Sequence, residues 1–388
     1  MRRKGGAVRI AAQSTIAACE RALSELGRAP MAEPLRLPTN IRYLAGGAEA
    51  ALAQVIVTWA QRSTPRQLET FIASPTDDQI DDFVRRLSGL TAALCADAIG
   101  GVKPDVVVTE QVKGAALARL DQLQGVQPKQ AYRGPSAEIV CADHLGRGAP
   151  YLLYQPSRRG GSELRPRENF RALAGWLLRN TIPPEYRLLL DPAAAEAIGS
   201  MLYEIFKNTD DHALVDANGN ILEISIRALR TTHLGITPSD LQRMVEEFAP
   251  LAHYCRSLRP PEGAAQTHLF ELSIVDSGPG FATSWTGLSL DRLSEEQEER
   301  AVRECFSRGS PKGQSRFGEG LPHVIRVLRR QRGFLRLRTG RLSFFIDFST
   351  PGEAVEGSRA LQRWRAAELV ALAPVAGSLL TIIVPMRR

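Results

Sequence analysis

Three polar side chains share one face of a predicted helix in the second half of the chain. Glu204, Asn208 and Asp211 occupy positions i, i+4 and i+7 of the stretch EIFKNTDDHA, residues 204–213. A helix turns once in about 3.6 residues, so these positions lie along one side. An Asn oxygen suits Mg²⁺, and a neighbouring Glu can orient or deprotonate water. The spacing is compatible with a magnesium–phosphate site, although a solvated helix surface carries the same residue types.

A second candidate is Asp276, which ends a predicted buried strand in SIVDSGPGF. Gly278 and Gly280 follow it, and glycine lets the backbone approach a ligand closely. A carboxylate held at a strand end can accept a hydrogen bond from an exocyclic amine. A plain strand-ending turn has the same pattern, so this motif is weak on its own.

A third candidate is the stretch RFGEGL, in which Gly318 and Gly320 precede a predicted helix. The first N–H groups of a helix form a ready site for an anion. No G-K-[ST] follows, so this is not a Walker A loop, and the dinucleotide fingerprint G-x-G-x-x-G is also absent. The polar segment before it, about 282–317, carries Arg308, Lys312 and Arg316. We expect it to be a flexible lid whose cations meet phosphate, with a solvated loop as the alternative.

The elements that must position these groups are predicted from periodicity and turn residues. Asp191 and Pro192 form a typical helix start, and the helix should continue to about residue 213. Thr339 and Gly340 mark the turn of a hairpin. The other predicted elements of this half are a strand at 220–229, a helix at 237–258, a strand ending at Asp276, the hairpin at 333–348 and a last strand at 376–385.

The first half contains no catalytic motif. Its predicted elements are helices at 47–63 and 76–100, strands at 67–73 and 104–110, and a strand pair within 136–156. A Gly-, Pro- and Arg-rich stretch at 157–169 is the best candidate for a boundary or exposed loop. We therefore predict an α/β N-terminal domain at 1–160, a connecting helix and linker at 161–189, and a C-terminal domain at 190–388.

Composition favours a globular protein of a reducing compartment. The net charge is +7, but only 6 of the 49 basic residues are Lys and the Arg residues are spread along the chain, so a nucleic-acid partner is the less favoured alternative. The five cysteines form no C-x-x-C pair, which fits a reduced cytoplasm without a zinc site. The apolar stretch 369–386 contains Pro374 and Pro385 and falls short of the ~20 residues of a membrane span. We predict a cytoplasmic location and no membrane contact.

The order of the motifs resembles the ATP-binding domain of the GHKL superfamily, which includes gyrase, ninety-kilodalton heat-shock chaperones, histidine kinases and MutL. EIFKNTDDHA resembles the N-box, DSGPG the first glycine box and GEGL the second. GSLLTIIVP resembles the last strand of that domain, with Ser378 where Thr is usual. The resemblance covers about residues 190–388.

The resemblance implies a Bergerat-type α/β sandwich, in which a mixed sheet is covered by helices on one face, with ATP and Mg²⁺ as ligands. Asn208 would bind Mg²⁺, and Glu204 would be the general base for the attacking water. Asp276 would bind the adenine amine together with Ser378, and Asp211 matches an acidic position near the adenine. The positions that would shape the phosphate and lid region are Gly278, Gly280, Gly318, Gly320 and Leu321, with Arg308 and Lys312 as lid cations.

Two features depart from the family pattern. The interval between Asn208 and Asp276 is long, which indicates an insertion at about 230–265. The second glycine box is shorter than G-x-G-x-G, which leaves the lid geometry open.

The implied function is Mg²⁺-dependent ATP hydrolysis that drives a conformational switch, read by the N-terminal half, a protein partner or a second copy of the chain. One alternative is a serine kinase of the anti-sigma type or a histidine kinase acting on a separate partner. Another is a nucleotide sensor that does not hydrolyse ATP. The only His before the N-box is His144, in a Gly-rich context without a long helix, which does not favour a classical histidine kinase.

Overall fold

The computed structural model describes residues 7–43, 45–74, 77–103, 106–125, 136–158, 160–191, 193–258, 265–308, 320–350 and 360–386. The α-helices are α1 (Ile16–Arg28), α2 (Ala48–Arg62), α3 (Asp77–Val84), α4 (Leu87–Cys95), α5 (Thr109–Gln124), α6 (Asn169–Thr181), α7 (Ala194–His212), α8 (Pro238–Ser257), α9 (Phe281–Thr286), α10 (Glu295–Arg308) and α11 (Gly320–Arg330). The strands are β1 (Val8–Arg9), β2 (Gln13–Ser14), β3 (Leu35–Leu37), β4 (Arg42–Tyr43), β5 (Gln67–Thr70), β6 (Ala98–Gly100), β7 (Ser136–Ala142), β8 (Tyr154–Pro156), β9 (Ser162–Leu164), β10 (Ile226–Ile236), β11 (Thr267–Val275), β12 (Phe334–Gly340), β13 (Leu342–Asp347), β14 (Gln362–Arg363) and β15 (Val375–Pro385).

The first half contains a small parallel sheet in the order β1-β3-β5-β6. Parallel neighbours require a crossover connection, and helices α1 to α4 provide it. The chain is therefore of the α/β class, as predicted.

The larger sheet has seven strands in the order β14-β13-β12-β15-β11-β10-β7. Among the described residues all its strand pairs are antiparallel, so the expected mixed sheet is wrong for this chain. The last strand, β15, inserts between β11 and β12 and runs opposite to both. As in any β-strand, successive side chains of β15 point to opposite faces of the sheet.

Helices cover both faces of this sheet, whereas the resemblance implied one covered face. On β15, Leu380 and Ile382 pack into a core with α6, α7, α10 and α11, while Leu379 and Ile383 pack into a core with α1, α2 and α8. The second core is built largely by the first half of the chain. Both faces of the strand are buried, which explains its nearly continuous apolar sequence.

The first half also contributes a strand to the seven-stranded sheet. β7 pairs with β10, from Ile226↔Ala142 to Thr232↔Ser136. A strand from the predicted 1–160 domain thus lies in a sheet formed otherwise by residues after 190. The predicted domain limits themselves stay a prediction.

Several local predictions are confirmed and others are wrong. Helices α2, α7 and α8 and the β12–β13 hairpin lie where expected, with Thr339 and Gly340 closing β12. The predicted helix 76–100 is interrupted, because Arg86 is extended at φ −91 and ψ 140, and its end forms β6. In the strand predicted at 104–110, Thr109 and Glu110 instead begin α5, and before them there is only a bridge between Val107 and Gly100. Residues 104 and 105 lie outside the described residues.

The strands predicted at 136–156 and 220–229 also differ from those observed. β7 and β8 belong to different sheets and do not form a pair. The strand predicted at 220–229 is β10, which begins at Ile226 and continues to Ile236, inside the region expected to be an insertion.

The described part of the expected flexible lid, residues 282–308, is largely helical. It contains α9 and α10, separated by residues 287–294, and Val302 and Phe306 on α10 are fully buried. Apolar residues one turn apart give α10 a face that packs on the core, which a count of polar residues does not reveal. The predicted lid residues Lys312 and Arg316 lie outside the described residues.

The apolar C-terminal stretch is strand β15. In the part of the chain that the structure describes, no helix combines the length and apolar character needed to cross a membrane.

Candidate functional site

Helix α7 positions Glu204 on its buried side. The helix is rich in strong helix formers, and Ile198, Leu202, Ile205 and Phe206 give it a core-facing stripe. Glu204 lies within this stripe and is only 4% exposed. A buried carboxylate in an apolar stripe is unusual, and it requires partners.

The partners of Glu204 come from two other elements. Oε2 accepts a hydrogen bond from the backbone N–H of Gly320, at 3.2 Å, where α11 begins. Oε1 lies 3.5 Å from Nη1 of Arg167 and has no hydrogen-bond partner among the described residues. Burial raises the pKa of Glu204, and the charge of Arg167 opposes that rise. The result is a carboxylate with an elevated pKa, of which Oε1 has the ion pair with Arg167 but no hydrogen bond from a described residue.

Arg167 also contacts His323 on α11, with 3.1 Å between Nη2 and the ring Nε2. The guanidinium can only donate, so Nε2 accepts and the imidazole is neutral. Burial lowers the pKa of His323, and Arg167 lowers it further. Arg167 lies in the stretch that the sequence indicated as a boundary loop, so no local signal pointed to it.

The other two polar positions of α7 differ in their surroundings. Asn208, one turn after Glu204, is half-buried, and its side chain makes no hydrogen bond to another described residue. Asp211 has a side chain that is 45% exposed and pairs with Lys207 on the same helix. Asp211 is therefore on the solvent side, and its proposed place near a ligand stays a prediction.

Asp276 is buried at the end of β11, 8% exposed. Its Oδ1 accepts hydrogen bonds from the N–H groups of Gly278, at 2.9 Å, and Ser378, at 3.3 Å. Its Oδ2 accepts no hydrogen bond from the described residues. Burial raises the pKa of Asp276 to about 6, against the opposing effect of these N–H groups. The carboxylate has a fixed orientation and one oxygen left for another donor.

The backbone around Asp276 is tightly packed. Gly377 has φ +62, and a Cβ there would lie 1.8 Å from the carbonyl oxygen of Asp276. Its N–H donates to the carbonyl of Gly278 at 2.7 Å, and the N–H of Asp276 donates to the carbonyl of Ser378 at 2.9 Å. Only glycine fits at 377, since it lacks a Cβ and tolerates positive φ.

The turn after β11 also meets the end of α7. A Cβ at Gly278 would lie 2.7 Å from Cα of Ala213, the residue that follows α7. Glu204 links the same helix to the start of α11. The structure thus brings together four predicted motifs: the polar turn of α7, the turn after Asp276, the first residue of α11 and the start of β15.

The remaining predicted site residues contribute less to the geometry of the candidate site or lie outside the residues that the structure describes. Leu321 is 1% exposed in the core, so any contact of this position with a ligand would be through its backbone. Gly280 has φ +81 and approaches Thr339, whose Oγ1 accepts from Phe281 N–H and lies 3.3 Å from Oγ of Ser378. The side chain of Arg308 and all of Lys312 and Gly318 lie outside the described residues.

A buried ion-pair network beside the site escaped sequence analysis. Arg227, 3% exposed, pairs with Asp143 at 2.8 Å and with Asp210 at 3.0 Å. Asp210 also accepts a hydrogen bond from the hydroxyl of Tyr154 at 2.6 Å. The network ties α7 to the edge of the sheet, and its neutralised charges indicate a structural role.

His144, the only His before the predicted N-box, also has structural contacts. Its Nδ1 lies 2.9 Å from the carbonyl oxygen of Ser225, and its Nε2 lies 3.4 Å from that of Leu94. Both ring nitrogens thus have backbone neighbours, which does not favour a phosphate acceptor.

Comparison with protein-family models, with curated proteins and with solved structures finds no match to this chain. The interpretation of the site therefore depends on its own geometry and chemistry.

Proposed function

We propose that residues 190–388 bind ATP with Mg²⁺ and hydrolyse the ATP. The observation that carries the proposal is Asp276, a buried carboxylate with Oδ1 fixed by two backbone N–H groups and Oδ2 left without a described partner. An acceptor oxygen held in a fixed direction at the end of a strand can receive a hydrogen bond from a donor group of a ligand. The exocyclic amine of adenine is a donor that would satisfy it.

The chemistry of this carboxylate favours adenine over guanine. Adenine presents an N–H₂ donor at the position where guanine presents a carbonyl oxygen. An acceptor oxygen such as Oδ2 of Asp276 pairs with the amine and opposes the carbonyl.

The phosphate side of the site would be formed by α7 and α11. Backbone N–H groups at a helix N-terminus bind anions, and α11 begins at Gly320 beside Glu204. Asn208 presents a side-chain oxygen without a described partner, one turn from Glu204, which fits a Mg²⁺ ligand. When bound, Mg²⁺ would neutralise charge on the transferring phosphoryl group.

Glu204 has the properties of a general base for water. Its Oε1 has no hydrogen-bond partner among the described residues, and burial raises its pKa, which favours acceptance of a proton. The water oxygen attacks the γ-phosphorus and its proton passes to Glu204, while the bond to the ADP oxygen breaks. Arg167 lies 3.5 Å away and stabilises the ionised carboxylate that accepts the proton.

Replacement of Glu204 by Gln tests the hydrolysis step. Gln keeps the size and the acceptor for Gly320 N–H but removes the base. We expect the rate of phosphate release to fall at least about 100-fold, with ATP affinity retained. Glu196→Gln is the matched control, because Glu196 is on the same helix, its side chain is 66% exposed, and among the described residues it pairs only with Arg171. Equal rates in the wild type and Glu204→Gln would refute the role of Glu204.

Replacement of Asp276 by Asn tests the adenine contact. The amide would keep its oxygen towards the N–H groups of Gly278 and Ser378, and would present its N–H₂ to the base. We expect ATP affinity to fall about tenfold or more, and GTP affinity to rise relative to ATP. The exposed Asp121→Asn is the control. Unchanged affinity for both nucleotides would contradict the assignment.

The same assays separate the other candidate functions. Binding of ATP without phosphate release would favour a sensor, and transfer of label to a protein would favour a kinase. We extend the proposal to a conformational switch that ATP hydrolysis resets. The state of the switch would be sensed by the N-terminal half, by a protein partner or by a second copy of the chain.

A further inference from the structure

Helix α2, from the first half of the chain, carries three polar side chains at positions i, i+4 and i+7. They are Gln54, Thr58 and Gln61, in a helix that is otherwise mainly Ala, Val, Leu and Ile. Gln54 is 1% exposed and Thr58 is 4% exposed. Buried polar side chains at helical spacing form a row, and this row faces the start of β15.

Gln54 and Thr58 bind both backbone groups of Ala376. The N–H of Ala376 donates to Oγ1 of Thr58 at 3.0 Å. Nε2 of Gln54 donates to the carbonyls of Ala376, at 3.3 Å, and Arg338, at 3.2 Å. Thr58 in turn donates its hydroxyl proton to the carbonyl of Gln54 at 2.7 Å. The two side chains therefore act as a pair.

Ala376 needs these partners because β15 is irregular at this point. In the pairing with β12, Thr339 lies opposite Ser378, but Gly340 lies opposite Val375. Ala376 and Gly377 are the extra residues, as in a β-bulge, and such residues leave the hydrogen-bond ladder. Gly377 N–H is satisfied by Gly278, and Ala376 is satisfied by α2.

The bulge determines where Ser378 N–H points. Ser378 immediately follows Gly377, and its N–H is one of the two donors that fix Oδ1 of Asp276. Gln61 adds a contact to the turn after β11, because its Nε2 donates to the carbonyl of Ser277 at 2.7 Å. Side chains of α2 thus contact the backbone on both sides of Asp276.

We infer that Gln54 and Thr58 are positioning residues of the nucleotide site, which makes the N-terminal half a part of that site. The inference rests on the proposed binding of ATP. Gln54 and Thr58 hold the Ala376–Gly377 bulge, the bulge holds Ser378 N–H on Asp276, and Asp276 selects adenine. Loss of the α2 contacts would release Asp276 from the Ser378 N–H. The preference for adenine would then weaken, although no side chain that contacts the ligand has been changed.

Thr58→Val and the double variant Gln54→Met with Thr58→Val test this inference. Both replacements keep the side-chain volume and remove the hydrogen-bonding groups. We expect the dissociation constant for ATP to rise about tenfold in the double variant, and the preference for ATP over GTP to fall by a similar factor. Thr58→Ser keeps the hydroxyl and should restore both values.

The matched control is Thr91→Val on α4. Thr91 is fully buried in the same core, and its hydroxyl has no hydrogen-bond partner among the described residues. The Thr91→Val substitution changes the same atoms of a buried Thr but does not affect the contacts of Ala376. The affinities for ATP and for GTP should therefore stay at the wild-type values. Amide hydrogen exchange of Gly377 and Ser378 without nucleotide should accelerate in Thr58→Val and not in Thr91→Val.

The outcomes separate the inference from the proposed function. Wild-type affinity and selectivity in the double variant would overturn the inference and leave ATP binding intact. A parallel loss of ATP and GTP binding that follows lost stability would also overturn it, because it would show a structural role only. No ATP binding by the wild type would overturn both, while the exchange rates would still report whether α2 holds the bulge.

Discussion

Replacement of Gly377 by Ala should be among the most damaging single-methyl changes in this chain. The added Cβ would lie 1.8 Å from the carbonyl oxygen of Asp276 and 2.5 Å from its carbonyl carbon. Both are backbone atoms, which cannot rotate away as a side chain can. The bulge of β15 and the turn after β11 would have to separate by at least about 1 Å to reach a normal contact distance.

The cost can be worked out from the contacts that this separation breaks. Three hydrogen bonds join the two segments: Gly377 N–H to Gly278, Asp276 N–H to Ser378, and Ser378 N–H to Asp276. At about 1 kcal/mol each, their loss amounts to about 3 kcal/mol. A residue with a Cβ at φ +62 adds about 1–2 kcal/mol. We expect the free energy of unfolding to fall by about 4–5 kcal/mol.

Gly146→Ala separates the cost of placing a Cβ at positive φ from the cost of the close contact and the broken hydrogen bonds. Gly146 has φ +61, and no neighbouring atom lies within 4 Å of a Cβ built there. The Gly146→Ala substitution should therefore lower the free energy of unfolding by only about 1–2 kcal/mol, the cost of the left-handed conformation. Urea unfolding, followed by circular dichroism, measures both variants. If Gly377→Ala were as mild as Gly146→Ala, the close contact with Asp276 would not exist and the geometry of the site would be wrong.

Two further changes test buried charges. Glu20 on α1 is 1% exposed and lies 2.9 Å from Nε of the equally buried Arg338, so Glu20→Ala should lower the free energy of unfolding by about 3–5 kcal/mol. Glu25 is exposed on the same helix, and Glu25→Ala should change the free energy of unfolding by less than about 0.5 kcal/mol. Equal effects of the two substitutions in urea unfolding would refute the buried pair. Because burial raises the pKa of Asp276 from 3.8 to about 6, the folded state binds this proton more tightly than the unfolded chain does. Its ionisation therefore costs stability above about pH 6, by up to about 3 kcal/mol, and nothing below about pH 4. The stability of Asp276→Asn relative to the wild type should accordingly rise between pH 4 and 6 and then level off, and a flat difference in urea unfolding across this range would contradict the burial of the carboxylate.

Local patterns predicted the elements that carry the candidate site. The helix start at Asp191 and Pro192 predicted α7, although the observed helix begins at Ala194 with Ala193 as its N-cap, and the strand predicted to end at Asp276 is β11. The turn residues Thr339 and Gly340 predicted the hairpin. Each of these signals depends on residues within one or two turns of each other, which is the range over which periodicity and turn chemistry act.

The contacts that complete the site join distant parts of the chain and were not predicted. Arg167 meets Glu204 across 37 positions, from a stretch whose Gly and Pro content indicated a loop. Gln54 meets Ala376 across 322 positions. A buried Gln in an apolar helix indicates that a polar partner exists, because an unpaired amide is costly. It does not indicate which backbone group is that partner.

The strand predicted at 104–110 shows how tertiary context can override propensity. Three successive Val residues favour a strand, yet Val108 is fully buried at the start of α5 and Val107 is 71% exposed. The hydroxyl of Thr109 accepts from the N–H of Ile99 at 2.8 Å, which joins the helix start to β6. The N–H of Val108 donates to the carbonyl of Ile99 at 3.0 Å, and the N–H of Gly101 donates to the carbonyl of Val106 at 2.7 Å. The Val residues therefore form only a short antiparallel bridge with β6 before the helix begins.

The interface between α2 and the large sheet combines apolar packing with directed hydrogen bonds. Glu271 on β11 accepts from the N–H groups of Gly46 and Gly47 at 2.8 and 2.9 Å, so the sheet caps the start of α2. Gln54 and Thr58 bind Ala376 towards the other end of the helix. Apolar surfaces alone tolerate small sliding, but buried hydrogen bonds at both ends of a helix do not, because a shift leaves polar groups unpaired in a low-dielectric interior. The helix and the bulge beside Asp276 should therefore move as one body, and a ligand that shifts Asp276 would shift α2 and the core of the first half with it.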